Sequence, residues 1–193
     1  MNDIEESVFE VVRLWIWSGY CSREKLQNLL YEVIALEKEG LDEDEELDEN
    51  LLRQAFDAEC AAKAQAELSW PAVTDCDRLD SAFTKLLNDG ILAWHNAGDC
   101  MSAGHEIISE HLARSEAGTY RGFCFFHEQD LERALAGEGL MIAFGDLEDD
   151  TDATIKVGGS IKQALEEAGL KTQWDSTADG RINIPNITWQ RRS

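Results

Sequence analysis

The sequence predicts an α/β fold, with α+β as the alternative: a mixed sheet of about five strands flanked by helices, preceded by an N-terminal helical unit of about three helices. Two observations carry this prediction. Between Ile91 and Phe144, short apolar runs rich in aromatic and branched side chains alternate with segments of helical spacing. Strands that alternate with helices require crossovers, and hence a sheet that is at least partly parallel. Before Trp70 the apolar residues recur only at helical spacing, and the Trp70-Pro71 step breaks that pattern, because the residue before a proline is pushed out of the helical region. The predicted division is residues 1–69, an acidic helical unit, and residues 70–193, an α/β domain.

The elements follow in order. Ile4, Val8, Val11, Val12 and Trp15 form one stripe of a first helix over 3–17, ended by Gly19. Ser22 suits the N-cap of a second helix carrying Leu26, Leu29, Leu30, Val33 and Ile34, closed by Gly40. A third spans about 51–68, with Leu52, Phe56 and Cys60 on one face. Thr74 and Asp75 offer caps for a fourth, whose Leu79, Phe83, Leu86 and Leu87 face inward until Asn88-Asp89-Gly90 stops it. Strands at 91–96, 119–127 and 140–144 enclose helices at 102–115, where Ser102 is the expected N-cap, and at 128–136. An acidic lead-in at 146–152 opens a helix reaching Ala168, with Gly158-Gly159 placed for close packing on the sheet. Segments 170–176 and 181–190 read as a closing hairpin, with Pro185 on an edge strand.

Composition narrows the function classes. The 193 residues suffice for one domain, or a domain with a helical appendage. Set against 39 acidic residues, the 17 basic ones leave a net charge of −22, which excludes unassisted binding to nucleic acid or an anionic membrane. Such a charge suits docking to a basic protein by electrostatic steering. The longest apolar runs are too short to cross a bilayer, and the acidic MNDIEESVFE start lacks a signal's positive region, so a cytoplasmic address is expected. Cys21, Cys60, Cys76, Cys100 and Cys124 contain no Cys-x-x-Cys pair, which argues against a zinc knuckle, a thioredoxin-type centre or a disulfide frame. Reduced thiols are expected, with Cys124 in the core and Cys100, in a loop, the one to test for reactivity.

If the first two strands are parallel, joined by a right-handed crossover, their C-terminal ends share one rim of the sheet, where ligands of open α/β sheets bind. That rim would gather His95 and Asp99 after one strand and His127 and Asp130 after the next, the densest group of potential acid–base or metal-ligating side chains. Bland roles compete with chemistry there: Asp130 falls in the first turn of a helix, and strand-end histidines can simply cap a sheet. There is no Gly-x-Ser-x-Gly elbow, no P-loop and no dinucleotide fingerprint, and neither a cofactor nor a metal is expected.

The second lead is charge. Residues 1–70 hold 18 acidic and 6 basic side chains, net −12, against 21 and 11, net −10, in the rest, so the helical unit has the higher charge density. Its run Asp42, Glu43, Asp44, Glu45, Glu46, Asp48 and Glu49 could present carboxylates to a basic partner, with Trp17 as an aromatic anchor. Two competing readings are a solvated linker for the run and a Trp17 folded back on the next helix.

The stretches WPAVTDCDRLD (70–80), HNAG (95–98), FHEQD (126–130), GLMIAFG (139–145), ALEEAGL (164–170) and RINIP (181–185) resemble a family of uncharacterised bacterial proteins over about residues 70–189. The resemblance implies a bacterial cytoplasmic α/β domain and no particular activity. The functional expectation is a non-enzymatic acidic interaction protein, of the type that binds and neutralises a basic protein as immunity proteins do. The alternatives are a small hydrolase or metal-dependent enzyme using His95, Asp99, His127 and Asp130, and a small-ligand sensor at the same rim.

Overall fold

A computed structural model describes residues 1–41 and 46–192. Its described residues form two units, Met1–Ala72 with the C-terminal residues from Gln190 onward, and Val73–Trp189.

The first unit is three helices, α1 (Asp3–Ser18), α2 (Arg23–Gly40) and α3 (Glu49–Glu67). Each starts at a side-chain cap that satisfies the free N–H groups of its first turn. Asn2 accepts from Glu5 N–H at 2.8 Å while the Glu5 carboxylate accepts from Asn2 N–H, a reciprocal capping box. Ser22 caps α2, and Asp48 caps α3 by accepting from the Asn50 and Leu51 N–H groups. The helical stripes then interlock: Val8, Val12 and Ile16 meet Leu26, Leu30 and Ile34, with Leu52 and Phe56 closing the core. The C-terminal arginines belong here as well, Arg191 lying 4.5 Å above the Tyr20 ring and Arg192 donating to the Pro71 carbonyl at 2.7 Å.

The second unit runs α4 (Asp75–Asn88), β1 (Ile91–Trp94), α5 (Met101–Arg114), β2 (Gly122–Phe125), α6 (Glu128–Leu135), β3 (Leu140–Asp146), α7 (Thr151–Glu167) and β4 (Ile182–Ile184). The sheet order is β1-β2-β3-β4, with β1 and β2 parallel and the other two pairings antiparallel. The pairing register puts Leu92, Phe125 and Ala143 on one face, covered by Ile108 of α5. The opposite face carries Gly122 and Phe144, met by Val157 and Gly158 of α7, against which α4 also packs. Gly104 lets α5 lie directly on the sheet, since a Cβ there would overlap the Phe125 ring.

Several expectations change: Val11 and Leu87, placed on the apolar faces of their helices, are exposed. The sheet has four strands among the described residues, not about five, because the closing hairpin shrinks to β4 and a single bridge between Gln173 and Asn183. Local bonds win over pairing in the lost strand: Asp175 accepts from Thr177 N–H and hydroxyl at 3.1 and 2.7 Å, and the Trp174 indole donates to the Thr177 carbonyl. The N-cap of α5 is Cys100 rather than Ser102, which sits inside the first turn with its hydroxyl 3.2 Å from the Cys100 sulfur. Of the two adjacent glycines in α7, only Gly158 packs closely, against Trp174 and Phe144, while Gly159 faces open space.

Candidate functional site

The parallel pairing of β1 and β2 brings their C-terminal ends to one rim, and the backbone locks the two following loops together. Ala97 N–H donates to the Phe126 carbonyl at 2.8 Å, and Glu128 N–H donates to the Gly98 carbonyl at 3.0 Å. The turn that allows this has two left-handed residues, Asn96 at φ 48° and Gly98 at φ 68°. His95 and Asp99 are thereby held beside the start of α6, which carries His127 and Asp130.

The side chains then separate into two groups. His95 turns toward α4: its Nε2 lies 3.6 Å from Asp80 Oδ1, and its ring packs 4.5 Å from Phe83 and edge-on to Phe126 at 5.5 Å. His127 and Asp130 go inward, 4% and 1% exposed. Oδ2 of Asp130 lies 3.2 Å from His127 Nε2, accepts from the His127 backbone N–H, and pairs directly with the Arg181 guanidinium. Arg181 also donates to the Met141 carbonyl at 2.9 Å, so this cluster ties α6 to β3 and to the residue just before β4. Asp99 is exposed and acts at a distance through its charge.

Burial sets the electrostatics. Desolvation holds the His127 imidazole below its ordinary pKa; Asp130 pulls upward and Arg181 downward. Glu128 is raised, first by desolvation and then by the neighbouring charges of Glu132 and Asp99. Desolvation thus favours the neutral His127 ring, whose Nε2 lies 3.2 Å from the Asp130 carboxylate and whose Nδ1 is buried without a hydrogen-bond partner.

A carboxylate behind an imidazole is the core of an acid–base dyad. Here the ring is enclosed, however, and a substrate would reach Nδ1 only if the rim opened. Nor are the four candidates seen to converge: His127 is in contact with Asp130, whereas His95 lies against Asp80. Among the described residues no three His, Cys, Asp or Glu side chains are grouped to hold a metal ion. Sequence reasoning missed Asp80 and Arg181. An arginine opening the apolar RINIP strand of so acidic a chain was the available signal for the second.

The residues expected at a partner surface also divide. Asp42, Glu43, Asp44 and Glu45 lie outside the described residues. Glu46 is exposed, Asp48 is the α3 cap, and Glu49 bridges Lys38 and Arg53. Trp17 is half-buried against the helical core, and its indole N–H donates to Glu59 at 2.6 Å, so it folds back on the unit rather than standing out as an anchor.

A family profile described as Domain of unknown function (DUF6891) matches residues 1–193. The chain belongs to this family. The DUF6891 match takes in the three N-terminal helices, which extends the resemblance read at about residues 70–189 to both units. Neither curated proteins nor solved structures give a significant match. No helix of the described residues is long and apolar enough to cross a membrane.

Proposed function

We propose that this DUF6891 protein is a non-enzymatic acidic interaction module that docks a basic protein, in the manner of an immunity protein that neutralises its partner. The observation that carries the reading is the pairing of its cations. The net charge is −22, and many of the few basic side chains, among them Arg13, Arg23, Lys38, Arg53, Lys85 and Lys162, are already engaged with carboxylates of the same chain. The surplus carboxylates dominate the outward field, and such a field steers a cationic partner and weakens with salt.

The test is a crosslinked pull-down from the native host, followed by binding of the purified pair at rising ionic strength. The expected result is a partner of net positive charge whose affinity falls steeply between about 50 and 500 mM salt. A neutral or acidic partner, or binding indifferent to salt, overturns the reading.

A second reading, an acid–base enzyme at the rim, is favoured by one observation: the His127–Asp130 contact at 3.2 Å with Nδ1 unbonded. It requires the rim to open and expose that nitrogen. An activity that survives His127→Asn with the fold intact excludes it.

A further inference from the structure

We propose that His127, Asp130 and Arg181 form an acid-operated latch: a proton taken up by the imidazole releases the start of α6 from β3 and from the residue before β4, and uncovers the rim. This goes beyond the docking reading and does not rest on it.

Separate chain segments meet here at one oxygen. Oδ2 of Asp130 accepts from the Arg181 guanidinium and from the His127 backbone N–H, and it lies 3.2 Å from His127 Nε2. Arg181 reaches on to the Met141 carbonyl at 2.9 Å, which carries the tie into β3. On its other side the start of α6 is pinned by Glu128 N–H, which donates to the Gly98 carbonyl at 3.0 Å. His127 is 4% exposed, and its chain neighbours Phe126 and Leu131 are fully buried.

The closed site suits a neutral ring and not a charged one. An imidazolium presents an N–H at each nitrogen. Nε2 has the Asp130 carboxylate within reach, but Nδ1 is buried with no partner, so a proton there would be an enclosed, unsatisfied donor. The Arg181 guanidinium already occupies the same carboxylate oxygen, so the new cation would lie beside an existing one. Both penalties fall away when the ring swings into water. Arg181, a quarter of whose side chain is already exposed, can then take Asp130 alone or hydrate.

The groups that bear on the ring come from three segments. Desolvation lowers the His127 pKa most; Asp130 on α6 and Asp99 in the loop after β1 raise it, and Arg181 ahead of β4 lowers it. Glu128 at the start of α6 is raised by desolvation, then by Glu132 and Asp99. Its sign is opposite: a carboxyl with a raised folded pKa holds its proton better when closed, so acid favours closure through Glu128 and opening through His127. His95, at the end of β1, faces Asp80 instead. Linkage bounds the effect of the imidazole. The open ring takes up its proton near the ordinary 6.5 and the closed ring below it, so the open fraction rises by up to about tenfold between about pH 7.5 and 5.5.

The experiment follows hydrogen exchange of the full-length protein by mass spectrometry at about pH 7.5 and 5.5, with rates converted to protection factors to remove the intrinsic pH dependence of exchange. Protection in segments 126–132 and 180–184 should fall by about threefold to tenfold on acidification, while α1, α2, α3 and α7 keep theirs. His127→Gln should abolish the fall, and Glu128→Gln should retain it. An NMR titration of the wild-type imidazole gives the same answer without any variant, since the His127 ring should titrate below about 6.5. Unchanged protection in the two segments, a fall shared equally by every helix, a fall that persists in His127→Gln, or a ring that titrates at or above about 6.5 overturns the proposal.

Discussion

Replacing Asp130 by alanine tests whether the rim cluster is a structural tie or a free reactive group. The carboxylate is 1% exposed; its Oδ2 accepts from the Arg181 guanidinium and the His127 backbone N–H and lies 3.2 Å from His127 Nε2. Alanine removes the carboxylate from all three contacts at once. Arg181, with a quarter of its side chain exposed, can recover water and keeps the Met141 carbonyl, whereas the His127 donors are enclosed. A broken buried pair costs about 3–5 kcal/mol, and the better-hydrated arginine places this variant at the lower end of that range. Arg181→Met strands the carboxylate itself and should cost at least as much; the double variant should cost clearly less than the sum, by about 1–3 kcal/mol. Urea unfolding of the four proteins, followed by far-UV circular dichroism, measures this cycle. Single-variant losses below about 1 kcal/mol, or strict additivity, would refute the tie.

The same structure sets further outcomes. His127 is held below its ordinary 6.5 in the folded state, so on acidification the unfolded chain takes up the proton first; its stability contribution is present above about pH 6.5 and is lost as pH falls through that value toward the folded pKa. The slope is at most about 1.4 kcal/mol per pH unit, and denaturation midpoints between about pH 5.5 and 7.5 should show it in wild type and not in His127→Asn; equal slopes in the two would defeat it. Gly104→Ala forces α5 off the Phe125 ring and should destabilise by about 1–3 kcal/mol, while Gly159→Ala, facing open space, should gain up to about 1 kcal/mol from helix propensity; thermal melts of both variants decide this. In a thiol titration of the native protein, Cys100 should react early, whereas Cys76 and Cys124 should react only after unfolding, burial having pushed the Cys124 thiol far above its usual range. Early labelling of Cys124 would contradict the packing of β2.

Much of the fold was legible because its elements announce themselves locally. The α2 stripe, most of the α1 stripe, the Ser22 and Thr74 caps and the parallel β1–β2 pair follow from spacing and from the order of neighbouring elements. The closing strands failed for a local reason as well, since Asp175 and Thr177 offer the backbone a turn that competes with pairing. The rim was half legible. Topology placed His95 near His127, but the partners that decide their roles come from elsewhere: Arg181 lies 51 residues beyond Asp130, and Asp80 lies on α4, ahead of the sheet. Periodicity reports which face a residue takes, not which distant charge will meet it. The pocket at the end of β3 was illegible for the same reason, because the 146–151 turn, β2 and the 178–179 loop converge only in the folded unit.

Charge finally gives a test that needs no partner at all. With a net charge of −22, the exposed carboxylates of the folded protein repel one another across a compact surface, and that repulsion relaxes when the chain unfolds. Salt shortens the reach of these charges from about 10 Å at 0.1 M to about 3 Å at 1 M. It also weakens exposed ion pairs such as Arg114–Glu110, each contributing at most about 1 kcal/mol, while the buried Asp130–Arg181 pair is screened far less. Repulsion is the larger sum, so sodium chloride should raise the melting temperature over this range, and a cationic ligand that binds only the folded state should raise it further at low salt. A melting temperature that falls with sodium chloride would mean that internal pairing outweighs repulsion. The surface would then hold no surplus field with which to attract a basic protein, and the docking proposal would lose its driving force.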